Sequence, residues 1–126
     1  MSKSYELIKK IISEQKYKLV EDDGESFMIR YQMNAIRICP NSEDDAFVSV
    51  ILSNFAVVTE ENFAEVVMRC HKLNEQMKQV KFYTVKDVII AASEFYYMEE
   101  DDLSFQIKLA LNSLIAAKVN YKELDK

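Results

Sequence analysis

Residues 88–97 read VIIAASEFYY, and whether they form a strand or a helix decides the fold of this 126-residue chain. Nearly every position is apolar, with only Ser93 and Glu94 interrupting, so hydrophobic periodicity does not separate the two states. The β-branched start and the aromatic end favour a strand. A strand apolar on both sides is expected to be covered on both faces. With the preceding Val80 to Val85 it makes a hairpin turning at Lys86-Asp87, the longer arm running from Val88 to Met98.

Immediately upstream lies an amphipathic helix between Thr59 and Lys78. Thr59 is its candidate N-cap, Glu60 and Glu61 suit the positive end of the dipole, and Phe63, Val66, Val67, Cys70, Leu73 and Met77 recur at spacings of three and four. Strands on both sides give it a sheet to cover. Before it, Ser26 to Tyr31 and Ala35 to Cys39 alternate, joined at Gln32-Met33-Asn34, where Asn34 is the residue best able to turn left-handed. Pro40 ends the second strand and Asn41 to Asp45 form an acidic loop. In Phe47 to Ser53, Val48, Val50 and Leu52 face one way and Phe47, Ser49 and Ile51 the other.

At the N-terminal end, Tyr5, Ile8, Ile11 and Ile12, with Leu7 at the margin, form one helical stripe over Ser4 to Glu14. Tyr17 to Glu21 continues as a short extended edge, and the chain's single glycine, Gly24, marks the corner after it. At the other end, Glu99 to Asp102 supply cap and first-turn acids to a last helix running from about Leu103 to Glu123. Its core face is Leu103, Ile107, Ala110, Leu111, Leu114, Ala117 and Tyr121. Phe105, Leu109 and Ala116 gather on the opposite side, which a helix that only covers a sheet does not require.

Composition narrows the function. With 49% hydrophobic residues and one Gly and one Pro, the chain is read as a single α+β domain over residues 1–126 with almost no linker. A net charge of −5 argues against nucleic acid or an anionic membrane as partner. No apolar run of eighteen residues exists, and the first residues lack the apolar core of a signal peptide, so the expected location is the cytoplasm. Cys39 and Cys70 are read as buried small hydrophobes.

Catalytic chemistry finds few residues to use. Cys70 and the single histidine, His71, point about 100° apart on one helix and do not form a nucleophile and base. His71 is expected at the edge of the buried stripe. Phosphate loops, dinucleotide fingerprints, HExxH and GxSxG are lacking. Glu43 to Asp45 and Glu99 to Asp102 do not follow the spacing of a calcium loop, and neither metal nor cofactor is expected. Among the methionines, Met77 suits the core. Met28 shares a strand face with Arg30, opposite Arg37, and makes the outer sheet face a second candidate docking surface.

Two segments carry a resemblance: FMIRYQMNAIRICPNSEDDAFVSVIL at 27–52, as hairpin, acidic loop and strand, and KLNEQMKQVKFYTVKDVIIAASEFYY at 72–97, as helix end and second hairpin. In the order α-β-β-β-α-β-β-α they resemble the secretion-chaperone-like fold, and within it the YbjN-type family, named as bacterial sensory transduction regulators. The resemblance implies a two-layer α+β domain, helices on a twisted antiparallel sheet of about five strands, often dimeric and acting by binding proteins without established catalysis.

The resulting expectation is a non-enzymatic, chaperone-like or regulatory module that binds a protein partner or client and forms a homodimer. Its interface residues would be Phe105, Leu109, Ala116 and Met28. The alternative is a small-molecule binder or enzyme with a pocket between helix and sheet, lined by Tyr83, Phe95, Tyr96 and Tyr97 around His71 or Glu94.

Overall fold

The structure, a computed structural model, describes residues 2–124, and for residues 54 and 55 the backbone alone. Helix α1 (Lys3–Glu14) begins where the Ser2 hydroxyl accepts the Tyr5 N–H at 3.1 Å, and it buries Tyr5, Ile8, Ile11 and Ile12 as their spacing predicts. Left-handed Lys16 (φ 59°) then turns the chain into β1 (Lys18–Asp22). Gly24 (φ 86°) forms the corner, where the Asp23 carboxylate accepts the N–H groups of Glu25 and Ser26 at 2.8 and 2.7 Å.

Strands β2 (Phe27–Tyr31) and β3 (Asn34–Pro40) follow as a hairpin. The left-handed residues are Gln32 (φ 48°) and Met33 (φ 68°), not Asn34. Pairing of Tyr31 with Asn34 fixes a two-residue turn, and it takes the type I′ form, in which both central residues have positive φ. Asn34 opens β3 instead, its side-chain amide donating to the Gln32 carbonyl at 2.8 Å.

Beyond β4 (Phe47–Val57), helix α2 (Phe63–Gln76) starts later than its acids imply, with Asn62 at the cap position. Thr59 and Asn62 bond each other's backbone N–H groups at 2.7 and 3.2 Å, closing a separate turn before the helix. Val66, Cys70 and Leu73 are buried, whereas Phe63 and Val67, assigned to the same stripe, are exposed. The inward face is narrower than the apolar one.

Residues 88–97 do form a strand, β6 (Val88–Tyr96), paired with β5 (Lys81–Val85) and β4, and α3 (Glu100–Glu123) closes the chain. The sheet has six antiparallel strands in the order β1-β2-β3-β4-β6-β5. The extra strand is the short edge after α1, so the element order gains one β before the central helix. Its residues KLVED are all exposed and carry no alternation by which to announce themselves.

The three helices pack against one face of the sheet. Phe27, Ile29, Ile36, Ile38, Val48, Val50, Leu52, Ile89 and Ala91 lie against Ile8, Leu73 and the predicted core face of α3. Among the described residues nothing covers the second face of β6. Alternate residues Ile90, Glu94 and Tyr96 point to the open side, and the core includes none of them. Ala92 is 2% exposed on that side only because its methyl sits in register between the longer Ile51 and Lys81.

Candidate protein-binding surfaces

Period-two alternation places a second set of side chains on the open face. Across β2, β3, β4, β6 and β5 one row runs Met28, Arg37, Ile51, Ala92, Lys81, and neighbouring rows run Ser53, Ile90, Tyr83 and Cys39, Ser49, Glu94. Phe47 and Tyr96 close one end, ring centroids 4.9 Å apart. Ile51, Ile90, Tyr83 and Met28 are half-buried by their own neighbours, and Tyr96 is 64% exposed.

Arg37, Lys81 and Glu94, the charges nearest the centre of this face, are paired, and Arg30 is exposed at its margin. Arg37 donates to Ser26 Oγ at 2.7 Å and approaches Glu21 and Asp23 at 3.4 and 3.5 Å. Lys81 bonds Glu94, which also accepts the Ser49 hydroxyl at 2.9 Å. Burial pulls the Glu94 carboxyl upward, but hydrogen bonds from Lys81 and Ser49 and the lysine's charge outweigh it and hold the group below the usual carboxylate range. The apolar centre of the face is thus flanked by the compensated charges of Arg37, Lys81 and Glu94. The rim can orient a partner without a large desolvation penalty from a lone ion.

The helical layer carries the second surface. Phe105 (65% exposed), Ala116 and Val119 (49%) are exposed on α3, and Leu109 is half-buried. A cleft of about 170 Å³ lies between Phe105, Lys108, Leu109 and Asn112. Of the four residues singled out from sequence, Met28 is therefore on the open sheet face and Phe105, Leu109 and Ala116 are on the opposite side of the molecule. They form two surfaces. Ile51, Ile90 and Tyr83 complete the first and were already implied by alternation with the core set. Val119 completes the second, three residues beyond Ala116.

A pocket between helix and sheet is not formed by the residues named for it. Tyr83, Glu94 and Tyr96 are on the open face, Phe95 and Tyr97 on the core face, and His71 is exposed on α2 rather than at the edge of its buried stripe. The Tyr97 hydroxyl is held by Ser4 Oγ at 2.6 Å and the Asp45 carbonyl at 3.1 Å, which pins the acidic loop to α1. Between the layers lie fully buried aliphatic side chains. A cleft of about 440 Å³ lined by Ser2, Tyr5, Gly24, Glu25, Pro40, Asn41 and Ser42 opens at the surface. Burial raises the thiol pKa of Cys39, against a smaller pull from Arg37, and that of Cys70, the opposite of an activated nucleophile.

No family model and no curated protein matches the sequence. Solved structures do. YbjN of E. coli, a candidate transcription regulator by its description, superposes with a TM-score of 0.71 at 8% identity, covering 96% of this chain and 90% of its own. An uncharacterized protein from Methanothermobacter thermautotrophicus gives 0.61 at 18% identity, with 95% and 97% covered. The Yersinia pestis type III secretion chaperone SycH, solved in complex with a stable fragment of YscM2, gives 0.62 at 12% identity, with 94% and 98% covered. At these identities the likeness is one of fold over nearly the whole of each chain. The chain has the secretion-chaperone-like fold in the form that YbjN also takes.

Proposed function

We propose that this chain is a non-enzymatic protein-binding module, chaperone-like or regulatory, that holds a partner polypeptide against the open face of its sheet in the cytoplasm. The observation that carries the reading is the set Ile51, Ile90 and Tyr83, half-exposed apolar side chains on the one sheet face that no helix of the described residues covers. Contiguous apolar surface of this kind marks contact with another macromolecule. SycH, of the same fold, was solved with a polypeptide fragment bound, which supports the same class of partner here. A net charge of −5 biases the choice toward basic or neutral partners.

Site-specific photo-crosslinking in the source cells tests it. With a photoreactive phenylalanine analogue at Ile90, light should give a discrete adduct to another polypeptide, and the same analogue at Glu6, on the polar side of α1, should not. An equal adduct pattern from both positions, or none from Ile90, would refute the reading.

A further inference from the structure

We propose that the partner segment on the open sheet face carries one carboxylate, bound between Lys18 and Arg30, about 14 Å from a large apolar side chain seated beside Ile90. This rests on the reading of that face as a protein-binding surface and names the chemistry of what binds there.

Lys18 and Arg30 stand directly opposite each other on β1 and β2, both exposed, and both on the open side, since the neighbouring Ile29 belongs to the core. Like charges so placed repel, and a nearby acid would relieve them. Among the described residues none does. The two acids of β1 are engaged elsewhere, Glu21 with Arg37 at 3.4 Å and Asp22 with the Tyr5 hydroxyl. A lysine on an edge strand has a role of its own, because it discourages pairing with another strand, but Arg30 is on the inner strand β2 and has no such role. One carboxylate between the two side chains would turn the repulsion into charge-assisted hydrogen bonds, the guanidinium taking both oxygens.

The row that begins at this pair leads to the apolar patch. Arg30 pairs with Ala35; one residue past the pairing of Ile36 with Leu52, Ala35 comes beside Ser53, which pairs with Ile90. Ala35 and Ser53 are short, whereas Met28, Arg37 and Ile51 stand in the adjoining row. The row is therefore a trough, with two cations at one end and Ile90 and Tyr83 at the other. From Arg30 to Ile90 is three strand spacings, about 14 Å, which an extended segment crosses in about four residues and a helix in about nine. The chain's net charge of −5 acts over the whole surface and disfavours an acidic run, so the complementary group is a single acid in an otherwise neutral or basic segment. The cation pair lies at the margin and selects the segment and its direction, while burial against Ile51, Ile90 and Tyr83 holds it.

Arg30→Glu in the full chain, with the photoreactive analogue kept at position 90, tests this. The adduct yield should fall at least about tenfold, whereas Lys72→Glu, an equal change of net charge at an exposed position on α2, should leave it within about twofold. The free Arg30→Glu chain should melt about 1–3 °C higher, because the substitution turns a like-charge pair into an opposite one, and that rise separates lost binding from lost folding. The peptide joined to position 90 is then sequenced and synthesised with a fluorescent label. One acid-to-amide change in it should weaken binding to the wild type at least about tenfold and leave binding to Arg30→Glu unchanged, by fluorescence anisotropy. An adduct that survives Arg30→Glu, an equal loss in Lys72→Glu, a lower melting point in Arg30→Glu, or a peptide that no acid-to-amide change weakens would overturn the proposal and leave the protein-binding reading standing. No adduct from position 90 in the otherwise wild-type chain would overturn both.

Discussion

The hydroxyl of Tyr5 shows how single residues tie the layers together. It donates to Asp22 Oδ1 at 2.5 Å, joining α1 to the end of β1. The hydrogen bond to the Asp22 carboxylate, with burial adding to it, pushes the Tyr5 pKa up to about 12. The same bond, with the Gly24 N–H, holds Asp22 below the usual carboxylate range. The linkage has two limbs. Tyr5 has a raised folded pKa, so its contribution is full below pH 10 and fades as pH climbs toward 12. Asp22 has a lowered one, so its contribution is present above the ordinary carboxylate range and is lost as pH falls through the folded value. Thermal midpoints of wild type and Tyr5→Phe should thus differ most between about pH 5 and 10 and converge at both extremes. A gap independent of pH would contradict this coupling. Such bonds were not legible in the sequence, because alternation and helical spacing say which side a residue faces and nothing about which polar tip it meets.

Elements were more legible, and the failures have physical causes. The helical stripe of α1 and the core face of α3 emerged as spaced, because buried apolar side chains must recur at the helix period. Strand β1 was read as a mere edge because an edge strand exposed on both faces has no reason to alternate. The first hairpin was misassigned by composition: register forced Gln32 and Met33 into the left-handed region although Asn34 stood beside them. That strain is testable. A left-handed non-glycine residue costs about 1–2 kcal/mol, and glycine's extra freedom in the unfolded chain costs roughly 0.5–1 kcal/mol. Met33 is 90% exposed and packs against nothing that would be lost. Met33→Gly should therefore stabilise the protein by about 0.5–1 kcal/mol in urea unfolding, and a destabilised variant would show that the turn is not strained.

At the scale of the whole molecule, the order of elements carried most of the fold, while the apolar run of β6 misled about its surroundings. An apolar strand face is equally consistent with cover by its own chain and with cover by another, and residues alone do not distinguish them. The structure puts three helices on one side and leaves Ile51, Ile90 and Tyr83 on the other. Adjacent residues of β4 separate the two roles: Val50 is fully buried under the helices and Ile51 lies on the open face between Arg37 and Ala92. The most direct measurement compares Val50→Asp with Ile51→Asp for thermal unfolding and for retention of the partner that is cross-linked from the photoreactive analogue at position 90. Val50→Asp, an unpaired charge in the core, should lose more than about 4 kcal/mol of stability. Ile51→Asp should stay folded, losing about 1 kcal/mol, and release the partner. If Ile51→Asp unfolds as readily as Val50→Asp, or folds and keeps the partner, the open face is not the binding surface.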